Sequence, residues 1–220
     1  MRFRNLALPA LLAVAANVVS FVYDAILLNS IAAKTSQSYT KLLTDFAGSN
    51  LLPALALTLF FFFVYAEASG QIKGEARAKA AVVSSSLMVL YVAGKMFQFG
   101  LYAFTLWTMP NLSLDRSVLA SGFFYLVWNS FLITFLIAFA IKRGTAASRV
   151  VPRLAGVLAA FTLYAAVWTS VQLYARHDSL ALALPNYAVI LFGSATHLLF
   201  FVVVWRRWRP DLPTHQNIVS

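Results

Sequence analysis

Six long apolar runs, joined by short polar links, leave this chain one class of fold. They cover residues 6–28, 51–68, 80–106, 122–141, 154–174 and 187–205. At about 1.5 Å per residue each helix crosses the roughly 30 Å hydrocarbon layer, the shorter ones with help from interfacial residues. None of the runs alternates with period two, so a membrane β-barrel is excluded. Composition agrees, since 61% of the 220 residues are hydrophobic and only 11% are charged, against roughly 25% charged in a soluble domain. The expected fold is all-α: a polytopic membrane protein of six transmembrane helices in three hairpins. A single domain then covers 1–209, followed by a polar tail, 210–220, with two prolines.

The net charge of +10 could indicate nucleic acid, but its placement indicates topology. Arg2 and Arg4 precede the first run, and Lys73, Arg77 and Lys79 separate the second from the third. Lys142, Arg143, Arg149 and Arg153 separate the fourth from the fifth, and Arg206, Arg207 and Arg209 follow the sixth. These twelve lie on one side, whereas the other carries Lys34, Lys41, Arg116 and Arg176. The positive-inside rule then makes both termini cytoplasmic. The expected location is a cell membrane of the bacterial inner-membrane type, with the bilayer as the main partner and no role for nucleic acid.

Arg2 and Arg4 before an apolar stretch, with Ala13-Val14-Ala15 beyond, are reminiscent of a signal peptide. The sequence stays apolar through Leu28, so an uncleaved helix is expected. The absence of cysteine removes disulfides, thiolate metal sites and cysteine nucleophiles. In the longest link, Tyr39, Leu42, Leu43 and Phe46 recur at helical spacing and predict a short surface helix. Ser49 or Asn50 is placed to cap the second run, with Pro53 in its first turn, and Asn186 after Pro185 to start the sixth. Lys79 and Arg153 each precede a glutamine by nineteen residues, Gln98 and Gln172, a faint echo of a 2+2+2 repeat.

The third run contains a lysine, Lys95, near its centre. An ammonium at that depth costs roughly 2.5–3.5 kcal/mol on insertion scales, so it is normally paired, wetted or functional. Ser84, Met88, Tyr91, Lys95, Gln98 and Tyr102 follow one another at spacings of three and four, which places them on one helical face. The first run has a similar stripe of Ala10, Ala13, Asn17, Ser20 and Asp24, and the fifth one of Thr162, Ala165, Thr169, Gln172 and Arg176. Polar faces turn away from lipid, so the three are expected to look into the bundle.

Counted from the basic ends, Lys95 lies about 22 Å deep, Asp24, Gln98 and Gln172 about 27 Å, and His197 about 12 Å. Asp24 is therefore the expected counter-ion of Lys95, whereas Glu67, about 5 Å deep, is too far away. The expected ligand site comprises Lys95, Asp24, Gln98, Tyr91, Tyr102, Gln172 and Asn17, in a pocket in the half remote from the basic end. The competing reading of the Asn and Gln residues is interhelical glue, worth on the order of 0.6 kcal/mol each. Phe60–Phe63 read as lipid-facing bulk, Trp107, Trp205 and Trp208 as interface anchors, and Trp128 and Trp168 as pocket lining or core filler.

Only His197 of the three histidines lies in a run, which argues against a bis-histidine haem. Neither HExxH, paired intramembrane aspartates, GxSxG nor a phosphate loop occurs. No metal or cofactor is expected. The leading function is small-solute binding or transport, as an oligomer or with partner subunits in the membrane. The alternatives are an intramembrane enzyme acting on lipid or isoprenoid through Asp24, Lys95 and His197, and an assembly subunit packing the Ala7, Ala10 and Ala13 face on a partner helix.

Overall fold

The computed structural model describes residues 3–35, 38, 40, 51–72, 75–108, 116–140, 145–176 and 180–207. Among them are six α-helices and no strand. A 3-10 turn, Phe3–Leu6, leads into α1 (Ala7–Thr35), followed by α2 (Leu52–Ala68) and α3 (Glu75–Thr108). Then come α4 (Arg116–Ala140), α5 (Thr145–Arg176) and α6 (Leu180–Arg207). Four helices contain stretches long and apolar enough to cross a membrane: Ala7–Leu28, Ala78–Gln98, Arg149–Val171 and Leu184–Arg206. The apolar stretches of α2 and α4, Leu52–Ala68 and Leu126–Phe139, are shorter.

The outer surface is that of a membrane protein. Leu90 is 65% and Phe97 69% exposed on Glu75–Thr108, and Val22, Ile26, Phe62 and Leu163 are exposed on three other helices. Water would not tolerate apolar patches of this extent, whereas hydrocarbon removes the penalty. The surface helix read from Tyr39, Leu42, Leu43 and Phe46, the caps at Ser49 and Asn50, and the tail 210–220 lie outside the described residues.

The fifth and sixth helices start earlier than their apolar runs, and at the sixth the sequence reading had taken Pro185 as a boundary. The fifth helix begins at Thr145 and the sixth at Leu180, so Pro152 and Pro185 lie inside them. Each proline lacks the N–H that would bond the carbonyl four residues back, at Ser148 and Ala181. Both are within the first turns of long helices, where the loss of one bond is tolerated. Pro53 does sit in the first turn of α2, but the cap position is taken by Leu51, which makes no side-chain cap. The other end of α2 is sharply defined. Gly70 N–H donates to the Glu67 carbonyl (3.1 Å) and Gln71 N–H to that of Ala66 (2.8 Å), with Gly70 at φ +82°. That is a Schellman motif, and it turns the chain back so that α3 packs on α2.

The helices form a closed ring. Each packs on its sequence neighbours, and α6 returns to pack on α1. Helices across the ring make no backbone approach within 8 Å among the described residues. The centre is bridged instead by rings from the even-numbered helices. Phe60 of α2 lies edge-on to Phe135 (6.2 Å between centroids) and Phe139 (5.4 Å) of α4, and to Phe200 of α6 (6.1 Å). Phe135 meets Phe201 at 5.5 Å, which joins α4 to α6. These edge-to-face pairs suit the ring quadrupoles. They also correct the reading of Phe60 and Phe61 as lipid-facing: both are fully buried, and within that run only Phe62 is on the exposed side. Four consecutive phenylalanines wrap around a helix, so the run could not all face one way.

The odd-numbered helices supply small residues around the phenylalanines. Ala10 and Ala13 of α1, Ala81 and Ser84 of α3, and Ala155 and Ala159 of α5 are buried. Small side chains let the backbones close on the rings. At the basic end of α5, Gly156 admits Trp205 of α6, whose ring lies 3.2 Å from where a Cβ would be. The half of the bundle towards the basic end is thus tightly packed, whereas the buried face of α3 stops at Tyr91 and Val92 and that of α5 at Ala166.

Candidate functional site

The three polar stripes lie on α1, α3 and α5, which alternate round the ring and do not pack on one another. At the packed end the space between them is filled by phenylalanine, so the stripes do not meet there as expected. One stripe hydroxyl, and one beside a stripe, are satisfied within their own helix. Thr162 donates to the Leu158 carbonyl (2.8 Å), as Ser85 does to Val82 (2.8 Å). Such back-bonding lets a hydroxyl sit in an apolar interior without joining two helices.

Towards the opposite end the stripes loosen. On α3, Ser84, Met88 and Tyr91 are buried, Lys95 is half-buried and Gln98 is exposed. On α1, Ala10 and Ala13 are buried, while Asn17, Ser20 and Asp24 are half-buried. On α5 the sequence goes from buried Thr162 to half-buried Ala165 and Thr169. Tyr102 and Gln172 fall on α3 and α5, but their side chains lie outside the described residues.

Lys95 is held against its own helix. Its Nζ lies 5.7 Å from the centroid of the Tyr91 ring, one turn earlier. A cation over an aromatic face gains electrostatic stabilisation, more so once water is thinned out. The stripe therefore gives the lysine an aromatic support as well as polar neighbours. Asp24 stands on α1, and α2 lies between α1 and α3 in the ring.

Two contacts that the sequence reading missed close this end of the ring on one side. Tyr23 Oη donates to Asn186 Oδ1 (2.5 Å), which ties α1 to α6. Tyr187 Oη donates to the Ser170 carbonyl (3.0 Å), which ties α6 to α5. Asn186 had been read as a helix start, and the Pro185-Asn186-Tyr187 run gave no sign of cross-links. Trp128 packs on Phe161 and Phe201 and fills the core, whereas Trp168 stacks on Tyr164 on the exposed face of α5.

Groups proposed for catalysis are spread around the ring. Asp24, Lys95 and His197 are on α1, α3 and α6, and α3 packs on neither α1 nor α6. His197 bonds the Gly193 carbonyl through Nδ1 (2.6 Å) and meets the Phe61 ring at 5.2 Å. The small face of α1 is used inside the chain, since Ala10 and Ala13 are fully buried against the phenylalanine core. No group of three or more potential metal ligands occurs among the described residues. The chain matches no family model, no curated protein and no solved structure.

Proposed function

We propose that the chain is a six-span membrane protein that binds a small anionic solute in a vestibule opening away from the basic end. Both termini are placed at the cytoplasm, with the closed, phenylalanine-filled half on that side. The observation that carries this reading is the change along one face of α3, from sealed Ser84 and Met88 to half-buried Lys95 and exposed Gln98. An ammonium at that point can keep contact with water while most of its helix faces hydrocarbon, which lowers the cost of its charge. Lys95 would take the anionic group of the solute, Tyr91 would support the cation, and Gln98, Tyr102 and Gln172 would offer hydrogen bonds, whereas Asn17, expected here from the sequence, has its Nδ2 sealed in the core. Asp24, on the far side of α2, would balance the charge across the vestibule and disfavour a second anion.

Movement of the solute through the protein would require the Phe60, Phe135, Phe139 and Phe200 cluster to part. Partner subunits or a homo-oligomer would cover part of the exposed apolar surface. The enzyme reading has less support, because its three groups are on helices that do not all adjoin. The test is native mass spectrometry of the full chain incubated with a mixture of small carboxylates and phosphates. Wild type should retain at least one of them, and Lys95→Met should retain none while keeping its helix content. Equal retention by the two proteins, or none by wild type, would contradict the proposal.

A further inference from the structure

Among the buried polar atoms that take part in none of these contacts, two lie on adjoining helices. Asn17 Nδ2 on α1 and His197 Nε2 on α6 are sealed from solvent and have no hydrogen-bond partner. The Gly193 carbonyl, which can only accept, lies 2.6 Å from His197 Nδ1. The ring proton is therefore on Nδ1, and in the neutral imidazole Nε2 presents a lone pair. Asn17 Nδ2 presents hydrogens. One atom needs an acceptor and the other a donor.

The helix register brings them level. α6 touches the 3-10 turn at the start of α1, and Asn186 near its own start bonds Tyr23, so the two helices run antiparallel. From that bond, six residues back along α1 reach Asn17 and seven forward along α6 reach Gly193, about 9 Å and 10.5 Å. The His197 ring leans over Gly193, as side chains on a helix lean towards its N-terminus. Asn17 continues the buried face of Ala10 and Ala13, and Phe61 of α2 stands edge-on to His197. A Cβ at Gly193 would meet nothing within 4 Å.

We infer that the core between α1, α2 and α6 is a binding site for a hydroxyl group, which accepts from Asn17 Nδ2 and donates to His197 Nε2. A carbonyl or carboxylate would leave His197 unsatisfied, and an ammonium would leave Asn17 unsatisfied, whereas a hydroxyl does both. Water and the alcohol of a small polyol share this chemistry. The site is independent of Lys95, which is on α3, and stands whether or not the vestibule binds an anion.

The test uses the full chain in lipid nanodiscs with 15N-labelled histidine. Only His177, His197 and His215 contribute, and His197→Gln identifies the resonance. The site predicts that wild-type Nε2 resonates as a nitrogen accepting a hydrogen bond, and that Asn17→Leu moves it to the free-acceptor position. Asn17→Ala serves if the leucine variant does not fold. Magnetisation transfer from water to the His197 ring would identify water as the occupant. A shift on adding glycerol, without transfer from water, would identify an alcohol. A free-acceptor Nε2 in wild type with and without glycerol, or an Nε2 indifferent to Asn17, would overturn the inference.

Discussion

Replacing Phe60 by alanine should unlock the bundle, and the structure sets how much. The Phe60 ring touches Phe61, Phe135, Phe139 and Phe200, and with Phe135–Phe201 it joins three helices whose backbones do not approach one another. In a soluble core such a truncation costs about 3–5 kcal/mol, of which part is transfer from water. Here the unfolded reference is still in lipid, so the transfer part largely vanishes and the cavity remains. A void on the order of 100 Å³ at about 24 cal/mol per Å³ gives roughly 2.4 kcal/mol. Phe62→Ala, two positions on, removes a half-exposed ring whose ring contact is Phe63 at 5.7 Å, and should cost under about 1 kcal/mol. Equilibrium unfolding in mixed micelles, followed by circular dichroism, measures both. Equal losses for the two variants would refute the idea that the rings of α2, α4 and α6 hold the centre.

Gly70→Ala should cost about 1–2 kcal/mol in the same assay, because φ +82° strains any residue with a Cβ while no neighbour obstructs the methyl. A neutral result would mean that the turn after α2 relaxes out of its Schellman geometry. Tyr23→Phe removes the bond to Asn186 and should cost about 0.6 kcal/mol, with about 1.7 as the upper end for interhelical bonds in membranes. Spin labels on α1 and α6 should then show a wider distance distribution at that end alone; an unchanged distribution would mean that the bond does not hold the two helices.

The sequence was most legible where chemistry is periodic. Apolar runs gave the helices, because a backbone in hydrocarbon must satisfy its own hydrogen bonds. The stripe from Ser84 to Gln98 was legible for the same reason: residues at spacings of three and four share a face whatever they pack on. Periodicity cannot say which face looks at which neighbour. The phenylalanines at 60 and 61 were therefore misplaced, since Phe is equally at home in lipid and in a core. Pro185 misled for a different reason, as a long apolar helix tolerates one missing bond near its start. The Tyr23–Asn186 link joins residues 163 positions apart and left no local trace.

The central claim, a polar vestibule sealed at the basic end, is tested most directly by thiol accessibility, because the chain has no cysteine of its own. Phe97 and Gln98 are adjacent and both exposed, but Phe97 lies on the apolar face and Gln98 on the Lys95 stripe, while Met88 is buried lower on that stripe. Single cysteines at the three positions, in sealed vesicles, are treated with a membrane-impermeant maleimide from each side in turn. A thiol in hydrocarbon does not ionise and stays inert. The account predicts that Gln98→Cys reacts from the side remote from the basic end, and that Phe97→Cys and Met88→Cys react from neither. Equal labelling at 97 and 98, or labelling of Met88→Cys from the basic side, would contradict it.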